Sequence, residues 1–398
     1  MRVLISGIGI AGPTLAYWLA VHGFEITLVE RAPRLRGGGY MIDFWGTGFD
    51  VAERMGLLPA IKRDGYNIKQ FRLVNAGGKH IGGFNVDAFR TATKGRYLSI
   101  ARSDLARNIY QKVQDRCEMI FGDSIAGIKE DAAGVEVDFE YAPPRRFDIV
   151  IGADGLHSRV RKLVFGNENS FEKFLGFSVA AFEAVGYQPR NDDIYVSFSP
   201  PGKQIGRISL RHDRTLFLFV FLDERGNSID PYDTMANKKI LRAQFGGLGW
   251  ECPEILAAME SCDELYFDSV SQIRLDSWSR GRVALVGDAA FCPSLLAGQG
   301  SALAMAAAYV LAGELGKPDT TPQEAFKRYE TQLRPFIVEK QTAAEKFAGS
   351  FVPKTPLGLF FRNQVMKMLS IPFILKLAMG STLADRFKLP DYPETHAL

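Results

Sequence analysis

Cysteine is scarce in this chain, with four in 398 residues (Cys117, Cys252, Cys262 and Cys292), and no two of them share a C-x-x-C spacing. That excludes a zinc ribbon and a disulfide framework, and leaves the reduced thiols expected of a cytoplasmic protein. An excess of one charge is missing too. Lysine and arginine number 48 against 45 aspartate and glutamate, with no block of like sign, so the electrostatic footprint of a nucleic-acid binder is absent. Long apolar runs are also lacking. The C-terminal stretch "FVPKTPLGLFFRNQVMKMLSIPFILKLAMG" is broken by Lys354, Arg362, Lys367, Lys376, Pro356 and Pro372. It never offers the roughly 18 uninterrupted apolar residues of a membrane span. His22, His80, His157 and His212 stand in no metal-ligand spacing, and no triad or paired carboxylates announce acid–base catalysis.

What is present is an ordinary globular composition, 46% hydrophobic and 23% charged, in a chain long enough for two domains. "RVLIS" is a continuous apolar run, expected to be a strand buried on both faces rather than a leader. "GIGIAG" turns it into a helix with Pro13 in its first turn, and "EITLVE" follows as a second strand ending on Glu30. The next stretch, "RAPRLRGGGYMIDFWGTG", reads as irregular, and a helix is expected from about Leu98 to Gln114. Between Phe171 and Leu222 the pattern is β-rich, with a hairpin at "HDR". "GRVALVGDAA" returns to the buried-strand type, the alanine-rich "SALAMAAAYVLAGEL" is a closely packed helix, and further helices are expected over about 322–348 and 357–378.

Gly7, Gly9 and Gly12 form G-x-G-x-x-G between a strand and a helix, and Glu30 closes the following strand. The glycines permit a tight turn, close approach of a pyrophosphate and close helix–strand packing, while an acid in Glu30's place accepts ribose hydroxyls. With strand, helix and terminal acid in place a dinucleotide site is expected, and the motif alone does not separate NAD(P) from FAD. A second loop, "GDAAFCPSLLAGQG" at 287–300, makes that distinction. FAD has a ribityl chain and a flavin to anchor at its far end. Asp288 supplies an acceptor for sugar hydroxyls, Pro293 a rigid turn, and Gly298, Gln299 and Gly300 bring N–H groups to an anion ahead of a helix. Both loops are expected to grip one FAD.

With "DIVIGADGLHSRVR" at 148–161 and "ARSDL" at 101–105 between these loops, the chain resembles the single-component FAD-dependent monooxygenases of the p-hydroxybenzoate hydroxylase type. "GGYMIDFWG" at 38–46, "QIRLDSWSRGRVALVGDAA" at 272–290 and the extra C-terminal helix are most similar to the tetracycline-inactivating branch. The resemblance implies an α/β FAD-binding domain, Rossmann-like and of the glutathione-reductase type, interrupted by a mainly β substrate domain. The FAD-binding parts would be 1–70, 97–170 and 271–320, and the substrate parts 71–96 and 171–270. Helices in 321–398 would bridge the domains and cap the pocket.

By the same resemblance, Gly7, Gly9, Gly12, Glu30 and Arg31 hold the ADP half of FAD, and Arg102 with Leu105 contacts it. Asp154 and Gly155 belong to a motif shared by FAD and NADPH. Asp288, Pro293, Gly298, Gln299 and Gly300 hold the ribityl and flavin end. Asp43 lies near the isoalloxazine, and Arg36 is associated with NADPH. The family reduces FAD with transient NADPH, then hydroxylates an electron-rich ring or enol through a flavin hydroperoxide formed from O2. The expected substrate is a small molecule, a polycyclic aromatic such as a tetracycline, and Phe44, Trp45, Phe198 and Phe219 are candidates to line its pocket. No side chain is assigned a catalytic role, and a monomer is expected.

Overall fold

The structure is a computed structural model. It describes residues 1–35, 37–167, 170–224, 230–295, 298–368, 385 and 387–393, with the backbone alone for 347–351. "RVLIS" becomes the strand Arg2–Ser6 inside a six-stranded sheet. The order is Ser279–Arg280, Val283–Leu285, Ile149–Gly152, Arg2–Ser6, Glu25–Glu30 and Glu118–Phe121. All neighbours run parallel except the hairpin at its first edge. Val3, Leu4 and Ile5 are fully buried, because helices cover one face and the small sheet Ile125–Asp131, Gly134–Phe139 and Arg145–Phe147 lies against the other. The helices are Ala11–Val21 and Gly300–Leu315. Alanines at 302, 304, 306, 307, 308 and 312 let the second lie close to the first, and its buried face runs around nearly its whole circumference.

A second sheet of seven strands runs Tyr266–Ile273, Glu172–Val185, Arg214–Leu222, Lys203–Ser209, Ile194–Phe198, Gln70–Val74 and His80–Asn85. The "HDR" hairpin is as expected: His212 and Asp213 both have positive φ (58° and 55°), the conformation a tight hairpin with the native strand twist requires. One face of this sheet packs on the helices Thr234–Phe245 and Cys252–Glu260 through Phe217, Phe219 and Phe221. The alternate residues Leu216, Leu218 and Val220 point the other way, toward the region of Tyr40, Tyr97 and Tyr266 or of Val270 and Leu295.

Two local expectations are corrected. Residues 98–101 are not the start of a helix: Tyr97–Ala101 is a strand, and the helix is Arg102–Tyr110. Its antiparallel partner is Met41–Trp45, inside the stretch expected to be irregular, with Asp43 opposite Ser99. Each strand depends on the other, and the partner lies some 55 residues away in sequence, beyond the reach of local pattern. At the C-terminal side Thr321 caps the long helix Pro322–Phe351 with a capping box to Glu324, and Pro356–Met368 follows. The expected continuation of the last helix to 378 lies outside the described residues.

Candidate active site

The two glycine loops, almost 300 residues apart in sequence, touch. A Cβ built on Gly287, whose φ is +67°, would lie 3.0 Å from the Cβ of Ala11. Within the first loop the three glycines do different work. Gly7 has φ +109° and leaves room for Ala153, whose carbonyl oxygen would be 2.5 Å from a Cβ there. A Cβ on Gly12 would collide with the carbonyl of Gly7. Both are therefore demanded by the protein's own packing. Gly9 is not: among the described residues the only atom near its bare position is Arg102 Nη2, at 3.9 Å. Among the described residues, the space in front of Gly9 is open and faces a guanidinium. Glu30 sits under the same loop, accepting hydrogen bonds from Ile8 N (3.0 Å) and Ala32 N (2.9 Å).

The second loop supplies the opposite wall. Asp288 opens the short helix Asp288–Phe291, deep in the protein but only partly buried. Burial pushes its carboxyl above the ordinary carboxylate range, and the positive charge of Arg102 works against that push. A Cβ on Gly300 would be 3.8 Å from Asp288 Oδ1, and one on Gly298 3.8 Å from the Trp45 ring. At these glycines two residues carry buried polar atoms without partners: Gln299 Nε2 and Trp45 Nε1. Buried orphans of this kind are costly unless something completes them. Open glycines, one arginine, one deep carboxylate and orphaned polar groups at two loops that touch fit a long anionic nucleotide with a polar far end. Pro293 is buried and its carbonyl accepts from Gln272 Nε2 at 3.1 Å, which ties the loop to the strand Tyr266–Ile273. Cys292 is buried beside it, its thiol pushed well above the usual range by burial, and is an inert packing residue.

The motif at 148–161 braces both loops. Asp154 spends its carboxylate inside the protein, accepting from Ser158 Oγ, Arg159 N (2.8 Å) and Val160 N (3.1 Å). It is the anchor of the helix Arg159–Val164. Gly155, with φ +83° and, among the described residues, nothing within 4 Å of its bare position, is the open member of the pair. Arg161 is fully buried rather than a surface charge, and donates to the carbonyls of Ala289 (3.0 Å) and Leu156. It thereby links this motif to the residue after Asp288. His157 is paired with Asp268 of the seven-stranded sheet at 3.0 Å.

Several expected contacts fall elsewhere. Phe198 and Phe219 belong to the core between the seven-stranded sheet and its outer helices, Phe219 meeting Phe245 edge-on at 4.9 Å and Phe198 facing Trp250 at 6.1 Å. They point away from the glycine loops and do not line the cleft. Phe44 is fully buried against Phe49, and Leu105 is fully buried in the main core, so neither side chain is free to touch a ligand. Arg31 is exposed, its guanidinium 4.5 Å above the ring of Tyr232. Trp45 does stand at the site, and Asp43 is exposed next to it, accepting from Tyr97 OH and Ser99 Oγ, both at 2.6 Å. Arg36 lies outside the described residues. Sequence reasoning missed the aromatic row that leaves Trp45 along the inner side of the seven-stranded sheet. Tyr97, Phe89, Phe84, Phe71 and Tyr195 follow one another with ring centroids 5.2–6.3 Å apart. Its members come from five separate elements, so no spacing in the sequence signals it. Among the described residues there is no cluster of metal-ligating side chains, and no helix long and apolar enough to cross a membrane.

A family model described as an FAD binding domain matches residues 1–343. An uncharacterized protein of Mycobacterium tuberculosis is 40% identical over 347 residues, covering 85% of this chain and 91% of that one. A flavin-dependent monooxygenase from an unknown prokaryotic organism is 33% identical over 395 residues, covering 98% and 99%. With nucleotide loops that meet and relatives of this length, the chain belongs to the FAD-binding-domain family and is a flavoprotein monooxygenase. Within that class it stands near the tetracycline destructases. The crystal structure of the tetracycline destructase Tet(51) superimposes with a TM-score of 0.84 at 31% identity, covering 98% of this chain and 99% of that one.

Proposed function

We propose that the protein uses NADPH and O2 to hydroxylate a planar polycyclic aromatic or enolic small molecule, with tetracyclines the leading candidates. One oxygen atom enters the substrate and the other leaves as water; NADPH supplies two electrons, and one proton comes from solvent. The observation that carries this reading is the contact of the two glycine loops at Gly287 and Ala11, with Arg102 facing Gly9 and Asp288 facing Gly300. One long nucleotide, held at both ends, accounts for all of them.

FAD, when bound, supplies the hydride and oxygen chemistry. The chain's own residues bind and orient. Gly9 and the N-terminus of Ala11–Val21 would take the pyrophosphate, with Arg102 adding charge. Glu30 would accept from the ribose and Asp288 from the ribityl hydroxyls. The N–H groups at Gly298, Gln299 and Gly300 would stabilise negative charge at the flavin end. The six-stranded sheet and its helices form the nucleotide domain in this reading, and the seven-stranded sheet with the aromatic row from Tyr97 to Tyr195 forms the roof that holds the substrate and excludes water.

The character of that roof favours a second substrate. Leu216, Leu218 and Ile208 make its inner face largely apolar, which suits a less polar aromatic polyketide than a tetracycline. Incubating holoprotein and NADPH with each compound, and seeking a product one oxygen heavier by mass spectrometry, separates the two. NADPH oxidation that no compound stimulates would set both aside in favour of a flavin protein that sequesters its ligand.

A further inference from the structure

The stretch formed by residues 385 and 387–393 is a strap laid across the flavin-loop helix Gly300–Leu315 and the long helix Pro322–Phe351. At one end Tyr392 fills the notch left by Gly313 and donates its hydroxyl to Glu314 Oε1 at 2.8 Å. At the other end stands a buried ion pair: Lys340 Nζ lies 2.7 Å from Asp385 Oδ1, with side-chain exposures of 6% and 7%. The second oxygen of the same carboxylate accepts the backbone N–H of Thr47 at 2.8 Å.

That bond is placed with purpose. Thr47 begins the helix Thr47–Arg54, which has no side-chain cap at its own Ncap, Gly46, and Asp385 reaches it from 338 residues away. A carboxylate there satisfies a stranded N–H and is favoured by the helix dipole. Gly46 has φ +69°, and the space its absent Cβ would need is occupied by Asp385. The other side of the same turn faces the flavin loop. Trp45 lies 3.8 Å from the bare position of Gly298, and Gly48 packs so closely on Ala302 that a Cβ would collide with it. We infer that Asp385, held in place by Lys340, is a positioning residue for the cofactor site: through the Gly46–Thr47 turn it fixes Trp45 and Gly48 against residues 298–302. The strap's end is thus part of the apparatus that shapes the flavin end of the nucleotide cleft. This rests on the reading that the 287–300 loop holds FAD.

The test uses the full chain and two readouts: amide exchange of Thr47–Phe49 in the apoprotein, and the FAD dissociation constant from flavin fluorescence. Asp385→Ala is expected to speed exchange of the Thr47 amide and to weaken FAD binding by about tenfold. Asp385→Asn, which can still accept from Thr47 N, is expected to recover most of both. Tyr392→Phe, which removes the strap's hydrogen bond at the far end and leaves Asp385 in place, is expected to change neither. Wild-type exchange and affinity in Asp385→Ala overturn the inference, and so do equal shifts in Asp385→Ala and Tyr392→Phe, which a general brace would give. If Asp385→Ala does not fold, Lys340→Met replaces it, with a smaller shift in the same direction expected and wild-type values again overturning the inference. A wild-type protein that binds no FAD overturns the proposed function and this inference together. Where wild type binds FAD and Asp288→Ala weakens it, wild-type behaviour in the position-385 variants overturns this inference alone.

Discussion

Gly9 and Gly12 are three residues apart in one motif, and the geometry predicts opposite consequences for the same small change at each. An alanine at Gly12 drives its methyl into the carbonyl of Gly7, which is itself held at φ +109° against Ala153. Backbone cannot retreat there, so the apoprotein is expected to lose about 3 kcal/mol of stability. Among the described residues an alanine at Gly9 meets nothing closer than Arg102 Nη2 at 3.9 Å, and Gly9 is not among the glycines of positive φ. The apoprotein is expected to keep its stability or to gain roughly 0.5 kcal/mol, because alanine has less unfolded-state entropy to lose. The methyl stands, however, in the gap where the account places the pyrophosphate. Displacing a charge-assisted contact there costs about 1.5–3 kcal/mol, which is about ten- to a hundredfold in FAD affinity. The assay is denaturant unfolding of each apoprotein, followed by FAD titration of each folded variant. An unchanged FAD dissociation constant in Gly9→Ala would refute the placement of the cofactor. So would a Gly9→Ala apoprotein destabilised as much as Gly12→Ala, since the gap would then be needed by the protein itself.

Four further outcomes follow. The carboxyl of Asp288 is raised by burial, so the folded state holds its proton to higher pH than the unfolded chain, and apoprotein stability is expected to fall as pH rises through and above 3.8; Asp288→Asn should remove that fall while weakening FAD, as paired unfolding and binding titrations would show. Glu314 is buried among Lys317, Arg328, Gln332 and Tyr392, whose hydrogen bonds hold its carboxyl down at about 2 against the desolvation that would raise it; its stabilisation is therefore present above 4.5 and lost as pH falls toward 2, and Glu314→Gln should lower neutral-pH stability by about 3 kcal/mol. Phe219→Ala is expected to cost about 3–5 kcal/mol of stability with no selective effect on substrate affinity, whereas Leu218→Ala on the opposite face should weaken substrate binding, as calorimetry of both variants would report. Phe360 and Phe361 are 57% and 60% exposed on the helix Pro356–Met368, so serine at both should change unfolding free energy by less than about 0.5 kcal/mol.

The nucleotide half of the molecule was legible because its signals are local. A glycine motif between a strand and a helix specifies its own geometry, and "RVLIS" and "VALVGD" can be read as buried strands without knowing their neighbours. The strand Met41–Trp45 was not legible, since it exists only by pairing with Tyr97–Ala101. The facing of Arg214–Leu222 was hidden for a different reason. Both faces of that strand are covered, so its apolar run has no alternation to say that Phe219 points out and Leu218 points in. A sequence likewise says nothing of how deep a charge sits, and Arg161 and Asp385 became informative only as buried groups with named partners. The apolar residues Leu357, Phe360, Phe361, Val365 and Met368 are all exposed on the helix Pro356–Met368. Their spacing shows a helix but does not show what it rests on.

In the proposed function one FAD, spanning both loops, drives transfer of a single oxygen atom from O2 to a planar substrate. The most direct measurement is mass spectrometry of a tetracycline incubated with the FAD-loaded protein and NADPH under isotopically heavy oxygen gas. A product carrying one heavy oxygen, formed in step with the NADPH consumed, is expected. NADPH consumed with all of the heavy oxygen recovered as hydrogen peroxide or water, and the tetracycline returned unchanged, would contradict it.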